Sequence, residues 1–119
     1  MTIATEVILF EPDLLFSSKI EGAAKRLNIE LRVVTDLNEL LQELEGAAPR
    51  AFVISLDALE GKLSALKNLL RGRSRVIGYY SHVKTHIAEE ARGVGVETLF
   101  SRGAIAARME EILIELLAK

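Results

Sequence analysis

Three carboxylates and one guanidinium are the side chains of this 119-residue chain best suited to act together: Glu11, Asp13, Asp57 and Arg102. Hard oxygen ligands of this kind bind divalent cations such as Mg²⁺, and a carboxylate can act as the nucleophile that accepts a phosphoryl group. Asp57 ends the stretch Val53-Ile54-Ser55-Leu56-Asp57, in which an apolar run passes into a polar loop. The same residue type suits the N-cap of a helix, where its side chain accepts from free amides, and a cap is the expected role of Asp57. Glu11 and Asp13 have an equally ordinary use beside a helix start, where they interact with the dipole and where Pro12 fits the first turn. A residual cation site would draw on Glu11, Asp13 and Asp57. Arg102 is expected to pair with one of these carboxylates.

Other reactive types do not assemble into a pattern. His82 and His86 lie four apart with Glu89 and Glu90 just beyond, a spacing that can place metal ligands on one helix face. No second ligand-bearing segment accompanies them, so a solvated helix start is expected. Gly93-Val94-Gly95 lacks the third glycine of a dinucleotide fingerprint and follows a helical pattern, which makes it a helix terminus. No glycine-rich phosphate loop follows the first apolar run, which disfavours FMN and P-loop nucleotide binding. The chain has no Cys, so disulfides, thiolate metal sites and a cysteine nucleophile are excluded. No Ser–His–Asp pattern stands out, and no catalytic set is assigned.

Composition narrows the partners. The net charge is −2 and no basic run occurs, so nothing draws the chain to nucleic acid or to an anionic membrane. No apolar run approaches the roughly 20 residues that cross a bilayer, and no signal peptide opens the chain. The expected compartment is the cytoplasm. Half of the residues are hydrophobic and only 5% are aromatic, so Leu, Ile, Val and Ala must build the core.

The elements that position these residues alternate between two periods. Val7-Ile8-Leu9-Phe10 is a continuous apolar run, as in a strand covered on both faces. Phe16, Ile20, Ala23 and Leu27 form a helix face. Ile29 to Val34 alternates polar and apolar, which marks an edge strand. Asp36-Leu37-Asn38-Glu39 is a capping box opening a helix that buries Leu37, Leu40, Leu41 and Leu44, with Gly46 placed for a left-handed C-terminus. Pro49 introduces a third strand, Ala51 to Ile54. Leu59, Leu63, Leu66 and Leu70 predict a third helix stopped near Gly72. Val76 to Tyr80 is a fourth strand, and Val83, Ile87 and Ala91 face a fourth helix inward. Val96 to Phe100 is a short fifth strand, followed by one helix that buries Ile105, Met109, Ile112 and Leu116.

Five strands separated by single helices pair in parallel through right-handed crossovers. With the charged strands two and five outside, the expected architecture is a single-domain α/β (βα)5 fold over residues 1–119. It is flavodoxin-like, with sheet order 2-1-3-4-5 and helices on both faces. Function in such a sheet sits at the carboxyl ends of the strands, at 11–13, 55–57, 80–82 and 101–103.

At that edge the chain resembles the receiver domains of bacterial response regulators, the CheY-like superfamily, over essentially its whole length. The resemblance rests on element order and on Gly95-Val96-Glu97-Thr98-Leu99-Phe100-Ser101-Arg102, which matches the family's glycine, strand and terminal cation. It implies Mg²⁺ held by carboxylates and an aspartyl phosphate received from a partner kinase. Residue by residue the match departs from that chemistry. Glu11 falls on the first acidic position and Pro12 on the second, with Asp13 one residue late. Ser55 falls on the acceptor position, and Asp57 stands two residues downstream, about 6–7 Å on if extended. Tyr80 occupies the place of a small hydroxyl residue, with Ser81 adjacent. Arg102 replaces a lysine, and the two are not interchangeable around a small anion. Leu99 stands where the family often places a switching aromatic, with Phe100 next to it.

The expected function is therefore a stand-alone receiver-like signalling module, a pseudo-receiver that is not an enzyme and acts by protein–protein contact without phosphorylation. Its partner is another protein or a second copy of itself, and no cofactor is expected. The chain ends after the fifth helix, so no output domain is expected. Ile114 lies roughly 160° from the centre of the last helix's apolar stripe. With Leu99 and Phe100 it marks the expected interface, on the surface that receiver-like domains commonly use. Two alternatives remain: a working receiver that binds Mg²⁺ and phosphorylates Asp57, and a small enzyme or ligand-binding protein using the same cleft.

Overall fold

The computed structural model describes residues 5–46, 51–70, 73 and 75–118. Its centre is a five-stranded parallel sheet in the order β2-β1-β3-β4-β5. The strands are β1 (Val7–Phe10), β2 (Leu31–Val34), β3 (Ala51–Ser55), β4 (Val76–Tyr80) and β5 (Thr98–Ser101). Parallel register aligns Phe10 with Ile54, Ser55 with Tyr79, and Tyr79 with Phe100. Every residue of β1 and β3 is buried, whereas the outer strands β2 and β5 are mostly half-buried. The apolar runs thus took the centre and the charged strands the edges, as the sequence implies.

Two cores lie on the two faces. Val7, Leu9, Val53, Ile77 and Tyr79 pack under α1 (Leu14–Arg26), with Ile105 and Met109 to Leu116 from the chain's last helical elements. Ile8, Phe10, Phe52, Ile54 and Val76 pack under α2 (Leu37–Glu45), the leucines of the β3–β4 connection and α3 (Thr85–Gly93). Alternation along each strand sorts the side chains between the faces. Among the described residues no helix is long and apolar enough to cross a membrane.

Four local expectations are corrected. The third helix is absent: residues 57–70 contain two short 3-10 turns, Asp57–Leu59 and Leu63–Leu66. Gly61 and Asn68 sit at φ +79° and +73°, which interrupts any continuous helix there. Leu59, Leu63, Leu66 and Leu70 are buried all the same. Gly46 does not turn left-handed but is extended, with φ −67° and ψ 150°. Arg73 supplies the reason, because its Nη2 donates to Leu44 O at 2.7 Å and Gly46 O at 2.9 Å. A guanidinium thereby satisfies carbonyls that a glycine turn otherwise handles.

The last helix is broken at Arg108 (φ −123°, ψ 29°) into α4 (Arg102–Ala107) and α5 (Met109–Leu117). Main-chain bonds continue from Arg108 N to Ala104 O and from Ile112 N to Arg108 O, so the expected stripe remains buried. Val83 lies before α3 and is 74% exposed; Ala88 takes its place beside Ile87 and Ala91. The expected roles of Pro49 and Gly72 lie outside the described residues.

β2 and β5 begin two residues later than the alternation suggests, at Leu31 and Thr98, and two other local signals hold. Asp36 caps α2 by accepting from Glu39 N at 2.8 Å. Gly95, just past α3, takes φ +108°, a conformation that glycine adopts without a Cβ clash.

Candidate functional site

The carboxyl ends of β1, β3 and β4 bring Glu11, Ser55 and Tyr79 onto the face covered by α1 and α5. Each stands two residues beyond a core residue of that face, namely Leu9, Val53 and Ile77. Glu11 is 2% exposed and Ser55 1% exposed. A buried carboxylate is costly unless it is paired and hydrogen-bonded, and Glu11 is both. Its Oε2 accepts from Asp13 N at 3.1 Å, and its Oε1 accepts from the Tyr79 hydroxyl at 2.8 Å. Arg102 Nη1 lies 3.2 Å from the same Oε1.

Tyr79 was missed by position counting along β4, which pointed to Tyr80. Strand alternation turns Tyr80 to the opposite face, against the α2 and α3 side. Tyr79 is fully buried and also hydrogen-bonds Ser55. Burial holds its phenol above the ordinary value of 10.0, reinforced by the charge on Glu11 and the hydrogen bond to it. It therefore remains a neutral donor.

Arg102 opens α4 directly after β5, where the Ser101 hydroxyl caps the helix by accepting from Ala104 N at 3.0 Å. Its guanidinium carbon lies 4.2 Å from the Phe16 ring centroid and 5.9 Å from that of Tyr79. The Phe16 and Tyr79 rings in turn sit 5.3 Å apart, tilted by 43°. Arg102 thus stacks on aromatic faces while its fork meets Glu11 and, at 3.5 Å, Asp13. Asp13 is the N-cap of α1 and accepts from Leu15 N at 2.9 Å and Phe16 N at 3.4 Å. Pro12 precedes that cap rather than occupying the first helical turn.

Asp57 belongs to a different contact. It caps no α-helix; its two oxygens accept from Ser81 N at 3.1 and 3.0 Å. Loop closure onto the end of β4 competes with the capping role and prevails. Glu11, Asp13 and Asp57, the residues on which a residual cation site would draw, are not gathered into one cluster. Among the described residues no three His, Asp or Glu side chains come together to hold a metal ion. Each of the three carboxylates is instead taken by amide or guanidinium donors. His86 does not join His82, Glu89 or Glu90; its Nε2 meets Glu60 at 2.9 Å, and Lys84 Nζ meets the same carboxylate at 3.0 Å.

Of the expected interface residues, Ile114 is 54% exposed. Leu99 and Phe100 are half-buried, Leu99 packing toward the α2 and α3 side and Phe100 toward the α1 and α5 side. Two open grooves of about 320 and 330 Å³ share Arg26, Ala106 and Met109 between α1 and the α4–α5 break. Neither is lined by Glu11, Ser55, Tyr79 or Arg102.

No family model matches the chain, and no curated protein matches it. In structure it is similar to a response regulator from Thermotoga maritima. The TM-score is 0.73 at 8% sequence identity, with 98% of this chain and 100% of that one covered. Five parallel strands in the order 2-1-3-4-5, with helices on both faces, give this chain a receiver-like, CheY-like fold.

Proposed function

We propose that the chain is a receiver-like signalling module that works by contact with another protein, or with a second copy of itself, and transfers no phosphoryl group. One observation supports this reading: Ser55, which by count falls on the acceptor position of the resemblance, is buried at the strand ends with the network of Tyr79, Glu11 and Arg102. A serine hydroxyl forms no acyl phosphate, and this one lies away from solvent beside a buried carboxylate. A phosphoryl dianion placed there would face the charge on Glu11. Arg102, the cation that meets this network, is already bound to Glu11 and Asp13. The module is a binding protein rather than an enzyme, in a cytoplasmic setting, and it needs no Mg²⁺.

Incubation with acetyl phosphate and Mg²⁺, followed by intact-mass measurement, tests the reading. No adduct is expected, and an adduct lost in Asp57→Asn overturns it in favour of a working receiver. Self-association through the β5 and α5 surface is tested by sedimentation of Ile114→Glu. A wild-type dimer that dissociates in the variant supports it, and an unchanged state removes that surface from consideration.

A further inference from the structure

The connection between β3 and β4 carries two competing instructions. Asp57-Ala58-Leu59-Glu60 has the spacing of a capping box, in which the first side chain accepts from the third helical amide and the Glu reaches back. Beyond it, Leu59, Leu63, Leu66 and Leu70 recur at helical spacing. Neither carboxylate is used in that way. Asp57 accepts from Ser81 N with both oxygens, and Glu60 holds Lys84 and His86 at 3.0 and 2.9 Å. The two acids that would start a helix instead clasp the connection leading from β4 into α3.

We propose that residues 57–70 are a two-state element: the clasped form with two 3-10 turns exchanges with an α-helix capped by Asp57 and Glu60. The four leucines cover the sheet in either form, because their spacing makes one stripe in a helix and all four are already buried here. What changes is the β4–α3 connection, where the Ser81 amide, Lys84 and His86 lose their anionic partners. The balance is set by small, opposed effects. The Glu60 pairs are exposed and therefore weak, and the cap bonds of a helix start are of similar size. Gly61 is held at φ +79°, a position that favours the clasped form because glycine adopts it freely. A partner carrying an acidic group against Lys84 and His86 competes with Glu60 and shifts the population toward the helix. The exchange is independent of the function proposed above.

Two variants push the balance in one direction by different routes. Gly61→Ala places a Cβ where nothing lies within 4 Å, so only the left-handed backbone is penalised, and it raises helix propensity. Lys84→Ala combined with His86→Ala removes the Glu60 clasp and leaves both capping carboxylates in place. Carbon-13 Cα chemical shifts of residues 58–70 report the state directly. Both variants are expected to move these shifts toward helical values, with a matching gain in helical circular dichroism. Shifts that stay as in the wild type, or a segment that loses structure without gaining helix, overturn the proposal. Failure of one variant to fold leaves the decision to the other. Failure of both counts against it, since each leaves the helical packing of the leucines intact.

Discussion

The Tyr79 hydroxyl donates a 2.8 Å hydrogen bond to Glu11 Oε1, joining the ends of β4 and β1 through a buried contact 68 positions apart in sequence. Ser55, at the end of the intervening β3, bonds the same hydroxyl. Arg102 closes the group from the first residue of α4, directly after β5. At this carboxyl edge the chain pairs a carboxylate of its own with its own guanidinium.

That arrangement makes the network a stability element. Tyr79→Phe leaves Glu11 with one donor fewer and is expected to cost about 1–3 kcal/mol. Arg102→Ala removes the charge partner of a carboxylate with 3% side-chain exposure. Its cost is expected near 3 kcal/mol, the lower end for breaking a buried pair. Arg102→Lys should fall between wild type and alanine, since an ammonium keeps the charge but loses the planar stack on Phe16. Denaturant midpoints at constant slope measure all three; an Arg102→Ala protein as stable as wild type contradicts the pairing.

Alkaline stability follows from the phenol. Burial and Glu11 hold Tyr79 above its ordinary value of 10.0, so above that pH the folded state keeps a proton that the unfolded state releases. Stability therefore falls as pH rises beyond about 10. Tyrosinate absorbance followed with circular dichroism should show Tyr79 ionising together with unfolding. Reversible ionisation of Tyr79 in the folded protein near pH 10 contradicts its placement.

The acid side tests the Glu60 clasp. Hydrogen bonds from His86 and then Lys84 hold the Glu60 carboxyl below its ordinary value of 4.5, in a setting where Asp57 also faces Lys84. The Glu60 carboxylate that anchors the clasp is fully ionised in the folded state above pH 4.5, and its contribution is lost as pH falls through the depressed folded value. Titration of the Glu60 carboxyl carbon by NMR should give a midpoint below 4.5 that rises in Lys84→Ala/His86→Ala. An equal midpoint in both proteins means the clasp is absent in solution.

Gly78 tests the packing of the α2 and α3 face. A Cβ there would stand 2.7 Å from Leu56 Cδ1 and 3.1 Å from Val96 Cγ1. Gly78→Ala should destabilise by roughly 1–3 kcal/mol through overpacking, despite the higher strand propensity of alanine. A neutral effect on the thermal midpoint would show that Leu56 repacks freely.

Legibility in the sequence followed the range of the forces involved. β1 and β4 carry no charged residue and β3 is apolar up to Ser55, and a run such as Val76 to Tyr80 has few other uses, so its bounds were readable to the residue. The helical period of Leu59 to Leu70 signals burial correctly, but the α-helix it predicts does not form. Contacts from Asp57 to Ser81 and from Glu60 to His86 lie 24 and 26 positions away and leave no local mark. Arg73 ending α2 was hidden for the same reason. Tyr79, by contrast, had a signal. Counting two residues beyond Leu9, Val53 and Ile77 lands on Glu11, Ser55 and Tyr79, the three that meet at the site. Matching positions to a family pattern pointed to Tyr80 because it set aside which face each strand residue takes.

The central claim is that the strand-end pocket is already filled from within, and beryllofluoride titration in the presence of Mg²⁺ addresses it most directly. Nitrogen-15 spectra are expected to stay unchanged at Glu11, Ser55, Tyr79, Ser81 and Arg102 up to saturating fluoride. Saturable shifts at these residues that disappear in Asp57→Asn would contradict the account, because they would require the network to open around a phosphoryl mimic.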